Sequence, residues 1–186
     1  VALRPGSCLK LKGLRKDSFQ GDRKCVDIFS RLGVRTEFSD EGIQISSDNL
    51  LAPATKFHHD LSSAPDLVQT LACVHAIRGD EVIYSGIDHL RFKETDRLTA
   101  LQNELLKFSI SFTMVKDPSG TNRWIQKGKT AWNNKPIRTY GDHRMAMAFS
   151  LFSLAFSSLE IEHPMVVEKS FPKFWGQLQG LQFTLV

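Results

Sequence analysis

An internal repeat narrows the possible folds of this chain more than any other feature. A shift of 76 carries Asp66 onto Asp142 and Lys93 onto Lys169, so each aspartate is followed 27 residues later by a lysine. A second shift, of 74, carries Asp22-Arg23 onto Asp96-Arg97, Leu32 onto Leu106 and Phe38 onto Phe112. The repeating block reads as helix, strand, helix and strand pair. It is longer than solenoid periods of roughly 20–50 residues, so it predicts a closed, quasi-symmetric α/β domain rather than a stacked array. By the same count the last copy is cut short, because after a helix-like stretch at 172–181 only residues 182–186 remain.

Local patterns fill the block. Val26, Phe29 and Leu32 recur at helical spacing within 22–32, Gly33 supplies a stop, and 34–38 reads as strand. Leu98, Leu101, Leu105 and Phe108 mark one helix face, after which Ile110, Phe112 and Met114 alternate with Ser109, Ser111 and Thr113 as in a half-buried strand. Asp117-Pro118-Ser119-Gly120 predicts a turn, with Trp124 and Ile125 on the return strand. Two further helices, at 66–77 and 142–156, each open on an aspartate able to cap free N–H groups. Each precedes a strand-like segment, at 81–87 and 159–167.

Composition excludes several classes. With 41% hydrophobic and 24% charged residues the chain can bury a core without staples. The nearly unbroken apolar stretch at 145–156 suits a buried helix and is too short for a bilayer span of about 20 residues. Cys8, Cys25 and Cys73 are odd in number and far apart, a pattern of reduced cytoplasmic thiols rather than of disulfides or zinc ligands. Basic residues are interleaved with acids in a chain of net charge +4, which favours small anionic ligands over nucleic acid. The start at Val1, with no leader, reads as a piece of a longer chain, and no linker divides 1–186 into separate domains.

Two polar clusters stand where chemistry is expected. Arg91-Phe92-Lys93-Glu94-Thr95-Asp96-Arg97 lies between a strand end and a helix start, where backbone N–H groups and the positive helix end attract phosphate or carboxylate. Lys93 and Arg97 can add charge-assisted bonds and Glu94 can move a proton, although Thr95 and Asp96 also suit plain helix capping. Tyr140-Gly141-Asp142-His143-Arg144 is polar for one turn before the apolar helix begins. Arg144 fits bidentate recognition of an anion, while His143 fits either a packing role or proton transfer. Asp66, considered alone, is an N-cap, and Lys169 gains interest only by repeating Lys93. His58-His59-Asp60 lacks the ligand spacing of a metal site.

Taken together, Lys93-Glu94-Thr95-Asp96-Arg97 and Gly141-Asp142-His143-Arg144-Met145-Ala146-Met147-Ala148 resemble the signatures of the 5-enolpyruvylshikimate-3-phosphate synthases. Ser18-Phe19-Gln20-Gly21-Asp22, Pro65-Asp66 and Lys169-Ser170-Phe171-Pro172 follow in family order, so the likeness covers essentially the whole chain and matches a C-terminal portion of the enzyme. The resemblance implies repeated βαβαββ units in an inside-out α/β barrel, this chain supplying most of one of two domains, with the N-terminal half absent. It implies transfer of the enolpyruvyl group of phosphoenolpyruvate to the 5-hydroxyl of shikimate 3-phosphate with release of phosphate, without metal or organic cofactor, in the cytoplasm and away from membranes and nucleic acid. Under it Asp66 resembles the carboxylate that binds the shikimate hydroxyls and serves as base, and Glu94 the acid that protonates the enol carbon. Arg97, Arg144 and Lys169 resemble the cations that hold phosphoenolpyruvate, with His143 beside them. Lys93 resembles a ligand of shikimate 3-phosphate, and His89 stands where asparagine is more usual.

The alternatives are an enolpyruvyl transferase of peptidoglycan synthesis acting on a UDP-sugar, disfavoured by the Lys93–Arg97 motif, and a non-catalytic anion-binding fragment. The serine-rich phosphate loop and cations of the other domain are not in this sequence, so the chain alone is expected to be inactive. It is also expected to leave an open sheet edge where the absent segment would pair.

Overall fold

Leu9 and Leu11 alternate with lysines along β1 (Cys8–Lys12), the first element of the computed structural model, which describes residues 1–93, 95–181 and 183–185. A 3-10 turn (Gly21–Lys24) leads into α1 (Cys25–Ser30), and a hairpin of β2 (Arg35–Ser39) and β3 (Gly42–Ser46) follows. The predicted helix at 22–32 is therefore split and shorter. β3 is central, with β1 and β2 antiparallel on either side.

The middle of the chain carries one full β-α-β-α-β-β run. β4 (Lys56–Asp60) passes through the 3-10 turn Pro65–Leu67 into α2 (Val68–Arg78), which ends at Gly79 in the left-handed conformation favoured at helix C-termini. β5 (Glu81–Ser85) pairs parallel with β4, and α3 (Arg97–Leu106) returns the chain to the hairpin of β6 (Ile110–Lys116) and β7 (Asn122–Gly128). The sheet order is β4-β5-β7-β6, with β7 antiparallel to both neighbours. α4 (His143–Phe149) continues as a 3-10 segment to Leu154, and α5 (Phe174–Gly180) is the last helix.

One pairing recurs at the offset of 76. Ile137 bridges Ile161 in parallel, and these residues are Leu61 and Ser85 shifted by 76; in the full run the Leu61 amide donates to the Ser85 carbonyl at 2.9 Å. In the first sheet β1 lies against β3 as β5 lies against β7. Among the described residues no strand covers the outer edge of β1, and only the bridge at Ile137 and Ile161 represents the β4–β5 pair in the last copy. The segment at 159–167, read above as strand, is corrected: past that bridge it turns at His163, in the left-handed conformation, into a 3-10 helix from Pro164 to Lys169. Proline at the first helical position fits that start and removes a donor that a strand would need.

One core unites the helices with the four-stranded sheet. Leu71, Tyr84, Leu98, Leu101, Phe108, Phe112, Phe149 and Phe152 are fully buried in it, and Phe108 stacks on Phe152 with ring centroids 3.7 Å apart. Apolar burial of this kind, about 1.5–3 kcal/mol per large side chain, holds α2, α3 and α4 side by side with their starts aligned. Gly86 sets the approach to the first of those starts. Its φ is +75, and a Cβ there would overlap the Ser62 hydroxyl and come within 2.5 Å of the Ser62 amide nitrogen. Gly86→Ala should therefore cost at least about 1–3 kcal/mol in urea denaturation, since left-handed strain and a backbone clash coincide. An unchanged midpoint would show that the Ser62 loop is free to retreat.

Candidate functional site

Each helix start contributes one or two charged side chains to a single cluster. Asp96 caps α3 by accepting from the amides of Leu98 and Thr99, which fixes Arg97 as the first helical residue. Asp142 caps α4 by accepting from the Arg144 amide at 2.9 Å. Asp66 departs from its simple sequence reading: it makes no capping bond, and its carboxylate instead bridges two guanidinium groups.

The geometry is tight. Arg97 Nη1 donates to Asp66 Oδ1 at 2.9 Å, Arg97 Nε to Asp142 Oδ2 at 2.6 Å, and Arg144 Nη2 to Asp66 Oδ2 at 2.8 Å. Arg97 and Asp142 are 4% and 3% exposed, whereas the Asp66 and Arg144 side chains keep 30% and 29%. The cluster thus has a dry floor and a wet mouth. Arg144 Nε is buried without a hydrogen-bond partner among the described residues. A buried donor left unpaired costs about 1–3 kcal/mol, so an anion's oxygen at this position would satisfy a group the protein itself leaves open.

His143, half-buried at the start of α4, has its pKa lowered. Burial is the main cause, the cations Arg144, Arg97 and Lys169 act in the same direction, and Asp142 opposes them. At neutral pH it is an uncharged donor and acceptor beside the cluster, and Lys169 lies within electrostatic reach of it. Lys169 itself is exposed at the end of its 3-10 turn. His89 and Lys93 are exposed in and just after the turn Asp88–Phe92. Among the described residues they form no hydrogen bond or ion pair with Asp66 or Arg144. Glu94 lies outside the described residues.

Two contributors escaped the sequence reading. Asp142 was legible as a cap, but its bond to Arg97 spans 45 positions and no local pattern announces it. Glu104, fully buried on α3, accepts from the Arg138 amide, the Tyr140 hydroxyl and Lys107 Nζ, and so anchors the loop that delivers Asp142. Tyr140 and Gly141, both with positive φ, turn that loop into α4. Two surface clefts, of about 550 and 640 Å3, lie elsewhere, one along Ser18–Asp22 and one between Arg4–Leu9 and the C-terminal helices. Neither is lined by Asp66, Arg97 or Arg144.

Comparison with known proteins gives a consistent result. Residues 1–178 match the family model described as EPSP synthase (3-phosphoshikimate 1-carboxyvinyltransferase). The 3-phosphoshikimate 1-carboxyvinyltransferase of Bacteroides fragilis is 32% identical over 183 residues, which cover 98% of this chain and 44% of that protein. Those of Syntrophobacter fumaroxidans and Methanobrevibacter smithii are 36% and 34% identical, each over 91% of this chain and 38% and 36% of their own length. The chain thus spans less than half the length of these relatives, and the carboxylate and guanidinium cluster at its helix starts stands within a sequence that belongs to the EPSP synthase family.

Proposed function

We propose that this chain is the C-terminal portion of an enzyme that transfers the enolpyruvyl group of phosphoenolpyruvate to the 5-hydroxyl of shikimate 3-phosphate, releasing phosphate. The observation that carries the reading is Asp66 held between Arg97 and Arg144, with Arg144 Nε unpaired in a chain of this family. Both substrates are anions, and an incoming carboxylate or phosphate competes with Asp66 for the half-exposed Arg144. When Arg144 turns to the anion, Asp66 Oδ2 is released from its guanidinium partner and becomes able to take a proton from the attacking hydroxyl. Arg97, tied at the floor to Asp142, keeps the other oxygen in place.

In the same reading Glu94 delivers a proton to the enol carbon, Lys169 and His143 flank phosphoenolpyruvate, and Lys93 and His89 face shikimate 3-phosphate. Cations preset where negative charge collects on the tetrahedral ketal phosphate lower its energy without metal help. The fold extends accordingly: repeated βαβαββ units close into the inside-out barrel of the enolpyruvyl transferases, residues 1–186 forming most of one domain. The open edge of β1 and the single bridge at Ile137 and Ile161 support the reading that the remaining strands come from the absent N-terminal half.

The experiment is phosphate release from phosphoenolpyruvate, dependent on shikimate 3-phosphate, measured with this chain alone and after mixing with the separately produced N-terminal portion of a relative. Turnover only on mixing is expected, because half a cleft leaves the anions solvated and misaligned. Turnover by the chain alone would overturn the half-enzyme reading. Silence after mixing, with both pieces folded and associated, would assign the chain to anion binding without catalysis.

A further inference from the structure

A second polar cluster lies in the core between β4, α2 and the turn into β5. His59 Nε2 stands 2.9 Å from His75 Nε2, and His75 Nδ1 stands 2.8 Å from Asp80 Oδ2. Arg78 Nε donates to the same Asp80 oxygen at 2.7 Å, and the Thr55 amide donates to Asp80 Oδ1 at 2.9 Å. His59 and Asp80 are 3% and 2% exposed and His75 is fully buried. Phe57 and Tyr84 pack against the His59 ring, and Phe57 also packs against that of His75.

The proton positions follow from these contacts. Asp80 is ionised: burial works against its charge, but the bonds from His75, Thr55 and Arg78 outweigh it and hold its pKa low. His75 therefore donates from Nδ1, and a single proton lies between the facing Nε2 atoms of His59 and His75. Charge on both rings would place two N–H groups head to head across 2.9 Å. Through these four residues the strand that leads into Asp66 is tied to the helix that follows it.

We infer that His59, His75, Asp80 and Arg78 form a lock between β4 and the α2–β5 turn, which holds while His59 is uncharged and releases on acidification. Most of the groups facing His59 act in one direction. His75 on α2, Arg31 at the end of α1 and His58 on β4 all oppose a charge there and Asp80 alone favours one, while burial is the largest influence, and its pKa is lowered to about 4. Cys73 on α2 and Tyr84 on β5 stay neutral because burial raises both. Below the ordinary histidine pKa of 6.5 the unfolded chain takes up a proton that the folded chain refuses, so stability falls as pH drops from 6.5 toward 4 and is constant above.

The test compares urea unfolding of the chain with that of His59→Gln, whose amide keeps a donor toward His75 but does not titrate. Between pH 6.5 and about 4 the folding equilibrium constant of the original chain should fall by up to about tenfold per pH unit more than that of the variant. Parallel curves would overturn the lock. Ring-nitrogen NMR of the unaltered chain decides independently of whether the variant folds. An uncharged His59 ring at pH 5.5 is expected. A His59 ring protonated near pH 6.5 would refute it.

Discussion

Asp66→Asn should lower phosphate release in the reassembled enzyme by about 100- to 10,000-fold, the range over which a general base contributes. Asparagine retains an oxygen for Arg97 and nearly the same volume, so the cluster keeps its shape while losing the group proposed to accept the proton. The loss should appear in kcat rather than in the apparent affinity for phosphoenolpyruvate, since Arg144 no longer has to leave a carboxylate to meet the anion. A drop of less than tenfold, with binding of both substrates preserved, would remove Asp66 from the proton-transfer step.

Arg97→Ala acts on folding first. Its guanidinium joins two carboxylates, one of them on an almost wholly buried Asp142, and removing one partner of a buried pair leaves an uncompensated charge. The expected cost is about 3–5 kcal/mol in urea denaturation. Lysine should restore little, because an ammonium cannot meet Asp66 and Asp142 with the two divergent N–H groups that Nη1 and Nε present. A cost below about 1 kcal/mol would mean that water reaches the floor of the cluster and screens Asp142.

How far the sequence discloses this molecule varies by element. α2, α3 and α4 were legible because apolar spacing and an aspartate near the start agree, and the hairpin of β6 and β7 because alternation brackets a strong turn. β4 was missed: Lys56-Phe57-His58-His59-Asp60 carries almost no hydrophobic signal, since His59 is buried by pairing with His75 and not by being apolar. β1 was missed too, a five-residue strand whose pairing with β3 reaches across the chain from Cys8 to Ser46. The segment at 159–167 misled through its valines, where Pro164 was the stronger evidence. For the site, motif likeness brought out Asp66, Arg97 and Arg144 separately. That one carboxylate bridges the two arginines depends on how three helices pack, which local pattern does not encode.

Strand pairing is self-contained in the middle of the chain and sparse toward its ends. The β4–β7 sheet and the two helices within it draw all their strand pairings from residues 56–128, so every partner is present once that stretch has been made. Its closures are short in sequence, and Tyr84 packs against Phe112 within it. The flanking segments lack that autonomy: α4 packs on α2 from outside the stretch, and among the described residues β1 pairs with β3 alone. The central unit thus closes its sheet without the two ends, and Arg144 of α4 meets Asp66 from outside it.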